Sequence, residues 1–138
     1  MRESIFIDET AFIALNIKNR PDHDRAVFFI KSLLGETVRL VTSSLVLTLA
    51  AEEIREEKGF ERSRIFLELF QKPGIEVFGE NDSIRKDAQE FFIKVGKKKD
   101  VGLLACHHLA TMKHCSIRKI FSFNSALNQS DVFRVPRN

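Results

Sequence analysis

The feature that most constrains this chain is its alternation of short β-rich runs with longer helical ones, the pattern of βα units feeding a parallel sheet. Strands are expected at 4–8, 38–42, 75–78, 119–123 and 132–135. The first of them, Ile5-Phe6-Ile7, is apolar throughout, as a strand covered on both faces must be, and it delivers a carboxylate, Asp8. An acid at the carboxyl end of such a strand stands at the rim where open α/β sheets bind ligands.

The intervening segments carry helical punctuation. Asp22 is placed to cap a helix in which Ala26, Phe29, Ile30, Leu33 and Leu34 recur at helical spacing before Gly35 stops it. "SSLVLTLAAEEIREEKG" opens on a Ser cap, stays apolar for two turns, becomes densely charged and ends at Gly59. "ERSRIFLELFQK" closes before Pro73-Gly74, and "NDSIRKDAQEFFIKVGKKK" opens from Asn81 or Asp82. "GLLACHHLATMKH" is the last long helix, and Asp100 is expected to cap it from just before Val101. No repeat, low-complexity tract or linker interrupts the 138 residues, so a single domain spanning 1–138 is expected.

Composition narrows the function classes. The longest uncharged stretches, such as Leu40 to Ala51, fall well short of the about 20 residues of a membrane span, and no basic-then-apolar leader precedes Asp8. A cytoplasmic protein without membrane contact is expected. Two cysteines, Cys106 and Cys115, are too few for a disulfide framework. The net charge of +3 permits a polyanionic partner without demanding one, and the lysine triplet 97–99 reads first as a solvated helix C-terminus. All 13 aromatic residues are Phe, and positions such as Phe28, Phe66, Phe70 and Phe92 fit a core better than a base-stacking platform.

The segments "IFIDETAFIALNIKNRPDHDRAVFFIKSL", "LVTSSLVLTLAAEEI", "KKKDVGLLACHHLATM", "IRKIFSFNSAL" and "FRVP" occur in an order and spacing that resembles PIN domains of the VapC type, the toxin half of toxin–antitoxin pairs. The resemblance spans nearly the whole chain. It implies a three-layer α/β/α fold around a central, mostly parallel sheet of four to five strands. It also implies Mg²⁺- or Mn²⁺-dependent cleavage of RNA, an antitoxin partner and a homodimer. In such a site carboxylates converge because Mg²⁺ demands octahedral oxygen ligands and dehydrates reluctantly.

Of the four acidic positions that the resemblance implies, this chain keeps one. Asp8 is present, with Thr10 two residues on as a supporting hydroxyl. The others are Leu49, Ala105, in a helix that opens with Gly102, and Asn124, whose amide oxygen could still ligate a cation or hydrogen-bond a phosphate. Asp8 and Asn124 are therefore the candidate site residues, and metal binding and turnover are expected to be severely weakened. Glu52 and Glu53, one helical turn beyond Leu49, and Asp100, five residues before Ala105, are the possible substitute ligands. Glu9 should point to the side of the strand opposite Asp8. His107 and His114 lie two turns apart, too far to share one zinc ion, so "ACHHLATMKHC" reads as ordinary helix positions with half-exposed histidines. The apolar residues Ile54, Phe60, Ile65, Phe66, Leu69 and Phe70 exceed what a helix pair needs to cover a small sheet, which marks a self-association or partner surface.

Overall fold

A computed structural model describes residues 2–129 and 131–137. Five strands, β1 (Glu3–Ile7), β2 (Val38–Ser43), β3 (Glu76–Phe78), β4 (Lys119–Phe121) and β5 (Phe133–Val135), form one sheet in the order β3-β2-β1-β4-β5. Every pairing is parallel, with Phe6 opposite Val41 on one side and Ile120 on the other. The expected architecture is present, with strand ends within two residues of the expected bounds.

The connections are α1 (Glu9–Asn16) and α2 (His23–Ser32), then α3 (Ser44–Lys58) and α4 (Phe60–Glu68), then α5 (Asp82–Lys99) and α6 (Leu103–His114). Short 3-10 turns follow at Leu69–Gln71 and Ser125–Leu127. α1 packs on α2 and α3, α3 packs on α4, and α5 pairs with α6. The strand order advances from β1 through β2 to β3 and then returns to β4. Right-handed crossovers therefore put α1–α4 on one face and α5–α6 on the other.

Central β1 is buried on both faces because both layers cover it: Ile5, Phe6 and Ile7 are all closed to solvent. On one side Phe12, Phe66 and Phe70 meet edge to face at 5.1 to 5.4 Å between centroids. Each buried ring of this kind contributes about 1.5–3 kcal/mol, so the cluster fixes α4 on α1. Ser43 accepts from the Val46 N–H as the cap of α3, and Gly59, at φ +94°, ends that helix.

Several local expectations change. Asp22 occupies the cap position of α2, but its side chain makes no cap bond and instead pairs with Arg25. Phe28 and Phe92 are not core: they are 79% and 40% exposed, Phe28 on the side of α2 opposite the buried Ala26 and Phe92 at the margin of the buried stripe of Ile84 and Ala88 on α5. Asp100 does not open α6. It is the left-handed C-cap of α5, at φ 52°, its N–H bonding back to Gly96 and Lys97, and Gly102 takes the cap position of α6. A chain reversal of three residues needs one of them at positive φ, and Asp is among the residues that tolerate it.

Candidate functional site at the carboxyl rim of the sheet

β1 runs into α1 without a loop, and Asp8 is the joint. Its N–H still belongs to the sheet, donating to the Phe121 carbonyl at 3.2 Å, while its side chain already caps the helix, Oδ1 accepting from the Ala11 N–H at 3.1 Å. Oδ1 also accepts the Thr10 hydroxyl at 2.6 Å, and Oδ2 accepts the Ser122 hydroxyl at 2.5 Å.

Both hydroxyls are committed in turn. Thr10 Oγ1 accepts from the Phe123 N–H at 2.9 Å, and Ser122 Oγ accepts from the Asn124 N–H at 3.0 Å. The result is a closed ring of donors and acceptors joining the ends of β1 and β4. A carboxylate offers about four acceptor sites, so three of them are taken and the fourth faces no solvent, Asp8 being 0% exposed. Burial pushes the Asp8 carboxyl from its ordinary 3.8 up to about 6, and the neighbouring Glu9 charge pushes the same way against the Ser122 and Thr10 hydrogen bonds.

Glu9, one residue on, turns away toward α6. Its Oε1 lies 2.6 Å from His108 Nε2, and both side chains are nearly closed to solvent. Burial alone would raise the Glu9 carboxyl, but the hydrogen bond and charge of His108 outweigh it and hold it below the ordinary value. The imidazole leans on Phe6, ring centroids 5.8 Å apart. His108 is therefore no half-exposed helix position; it ties the first turn of α1 to the layer on the opposite face. His107 makes a second link, 3.1 Å from a Glu80 carboxylate oxygen. The other oxygen of Glu80 is buried without a partner among the described residues.

The remaining candidates do not join this ring through their side chains. Asn124 Oδ1 accepts from the Ala126 N–H at 3.0 Å and so caps a 3-10 turn. Glu52 is bound to Arg55 on its own helix, and Glu53, with Glu57, holds Arg20. Asp100 is exposed at the α5–α6 turn, Leu49 is half-buried on α3, and Ala105 is buried on α6. Among the described residues no three His, Cys, Asp or Glu side chains come together as a metal cluster. The donor set present does not fit a Mg²⁺ centre, because three acceptor positions of Asp8 are filled by neutral donors, the fourth is closed to solvent, and no cluster of ligating side chains forms among the described residues.

Sequence reasoning missed Ser122 and the pairing of Glu9 with His108. Ser122 had a signal, a hydroxyl at the end of the strand "IFSF" two residues before Asn124. The Glu9–His108 pair joins residues 99 positions apart and had none.

The fold has known counterparts. VapC20 of Mycobacterium tuberculosis, a sarcin-ricin loop cleaving toxin, superposes with a TM-score of 0.80 at 17% identity over 93% of this chain and 98% of its own. A chain of the DNA-bound VapBC of Salmonella typhimurium gives 0.67 at 17% identity over 97% of each chain. A chain of VapBC2 of Rickettsia felis, bound to a fragment of promoter DNA, gives 0.65 at 14% identity over 95% of this chain and 96% of its own. At these identities the likeness is one of fold, and no curated protein matches the chain. The PIN domain family itself matches residues 5–132, and the chain belongs to that family.

Proposed function

We propose that this chain is a PIN-domain protein of the VapC type whose metal-dependent ribonuclease activity is weak or lost and whose working role is binding. The observation that carries the reading is the state of Asp8. A catalytic carboxylate in this chemistry must offer lone pairs to a cation that has kept some of its waters, and it must do so from a wet cleft. Asp8 instead has three acceptor positions filled by Thr10, Ser122 and the Ala11 N–H and is closed to solvent. Leu49, Ala105 and Asn124 add no charge to hold a dication.

The partners that fit are RNA, retained without efficient cleavage, and an antitoxin, since the fold neighbours include two VapBC complexes. A homodimer is the third. Phe60, Ile65 and Leu69 are 65%, 50% and 57% exposed on α4 and the turn after it, while Ile54 and Phe66 pack inward, so half of the apolar excess faces outward. No helix among the described residues is long and apolar enough to cross a membrane, and a cytoplasmic location suits an RNA-binding protein.

The test is calorimetric titration of Mg²⁺ and Mn²⁺ into the wild type and Asp8→Ala, beside cleavage of single-stranded RNA. The proposal expects neither saturable metal binding nor cleavage above buffer. Saturable binding and cleavage that both vanish in Asp8→Ala would make the chain an active ribonuclease.

A further inference from the structure

A cation stands at the same rim as Asp8. Arg134 lies on β5 opposite Ile120 of β4, half-buried, and its side chain runs along β4 toward the carboxyl end. Nη1 donates to the Ser122 carbonyl at 3.1 Å and Nε to the Asn128 side-chain oxygen at 3.1 Å, both neutral acceptors. Among the described residues no carboxylate pairs with it, in contrast to Arg20, Arg39, Arg55, Arg64 and Arg85, each held by an acid. The bonds to Ser122 and Asn128 fix the plane of the guanidinium. They leave Nη2 and half of Nη1 uncommitted, on a group that stays charged at any ordinary pH.

Ser122 and Asn128 bracket Asn124, which is half-buried just beyond β4. Its oxygen is spent on the Ala126 N–H, so what its amide has left is the NH₂ group, again a donor. The acids nearby are turned away or engaged. Asp8 is 0% exposed, its oxygens directed at Thr10, Ser122 and the Ala11 N–H. Asp22 is held by Arg25, whose guanidinium lies 5.3 Å from the Phe123 ring. Asp131 precedes β5, and its carbonyl accepts from Arg118 at the amino end of β4. Glu80 stands after β3, beyond β1 and β2, and faces His107. Through Arg134 and Asn124, this end of β4 therefore offers donors and positive charge, which suit an anion and repel a dication.

Resting on the reading of the chain as a PIN-domain protein that retains RNA, we infer that a phosphodiester of single-stranded RNA is held here by Arg134, with Asn124 donating beside it, and that no metal ion takes part. The planar fork matches a pair of phosphate oxygens. It supplies the neutralisation that this rim does not obtain from a dication.

The experiment is fluorescence anisotropy of an end-labelled ten-nucleotide RNA with the full chain in EDTA, beside amide NMR shifts of the wild type. Saturable binding is expected, with shifts at residues 122–128 and 133–135. Arg134→Gln should weaken it at least tenfold and reduce the slope of log affinity against log salt by about 0.7, the loss of one phosphate contact on a single strand. Arg118→Gln, the same charge change about 13 Å away at the other end of β4, should leave both unchanged. Asp8→Asn should tighten binding, because it removes a negative charge behind the phosphate. Equal losses in Arg134→Gln and Arg118→Gln, or wild-type shifts elsewhere, would overturn the contact and leave RNA binding standing. Absence of binding would overturn the RNA reading and this contact with it. Binding that needs Mg²⁺ and disappears in Asp8→Asn would overturn both the contact and the loss of metal chemistry. An oligoglutamate that shifts these amides where RNA does not would make the occupant an acidic peptide and overturn the assignment.

Discussion

Replacing Asp8 by Asn separates a metal ligand from a structural cap. Asn is isosteric, caps helices as well as Asp does, and keeps an acceptor for the Ala11 N–H. What it removes is a charge that the folded chain holds at a disadvantage. Raising the Asp8 carboxyl from 3.8 to about 6 corresponds to about 3 kcal/mol favouring the neutral form. Between about pH 4 and 6 the folded chain keeps a proton that the unfolded chain has released, so stability falls as pH rises through that window and the cost is complete above it. The amide replaces a charged acceptor for the Ser122 hydroxyl, which gives back about 1–2 kcal/mol. At pH 7.5 Asp8→Asn should therefore gain about 1–2 kcal/mol, roughly 3–8 °C in midpoint, and at pH 4 the gain should vanish or reverse. Urea titrations at the two pH values, without divalent ions, read the difference. A variant destabilised equally at both pH values would refute the argument, because it would mean that the charged form is the one the fold is built around.

Removal of His108 should be costly in the opposite sense: His108→Ala strands the buried Glu9 carboxylate and is expected to lose about 3–5 kcal/mol, measured by urea titration, whereas Glu9→Gln with His108→Gln together should lose less. The Glu9 contribution, resting on a carboxyl held below its ordinary 4.5, is present above that pH and is lost as pH falls further, so Glu9→Gln should flatten the acid limb of a stability profile. The combination of Leu49→Glu, Ala105→Asp and Asn124→Asp should build a cation site and gain about 2.7 kcal/mol at Mn²⁺ one hundred times above its dissociation constant; a folded variant with no thermal gain would show the four positions not to converge. Sedimentation at micromolar concentration should detect a dimer that Phe60→Glu dissociates, and an unchanged mass would remove α4 as an interface.

The sheet, its order of elements and most helix ends were legible because they rest on local signals: apolar runs, Ser43 and Asn81 as caps, Gly59 as a stop. The role of Asp100 was not, because a residue between two helices can end one or begin the next, and only the three-residue reversal decides it. Phe28 and Phe92 misled because an aromatic side chain does not by itself mark a core position: Phe28 stands on the side of α2 opposite buried Ala26, and Phe92 at the margin of the buried stripe of α5. At the site, the sequence itself gives the residue types Leu49, Ala105 and Asn124. It does not give the ring around Asp8, since Ser122 meets it across 114 residues of sequence.

That separation sets the order in which the molecule can be assembled. β1 precedes the other four strands in the chain and waits longest for its second neighbour, because it lies at the centre of the sheet and pairs with β4 only when Ile5 finds Lys119. Until residues 119–122 have emerged, one edge of β1 has no backbone partners and the Asp8 carboxylate has no Ser122 to receive. A nascent chain of this kind carries an open, strongly apolar strand, Ile5-Phe6-Ile7, through most of its synthesis. High sequence separation makes its closure slow, and such a strand is a target for chaperones and for mispairing with other chains.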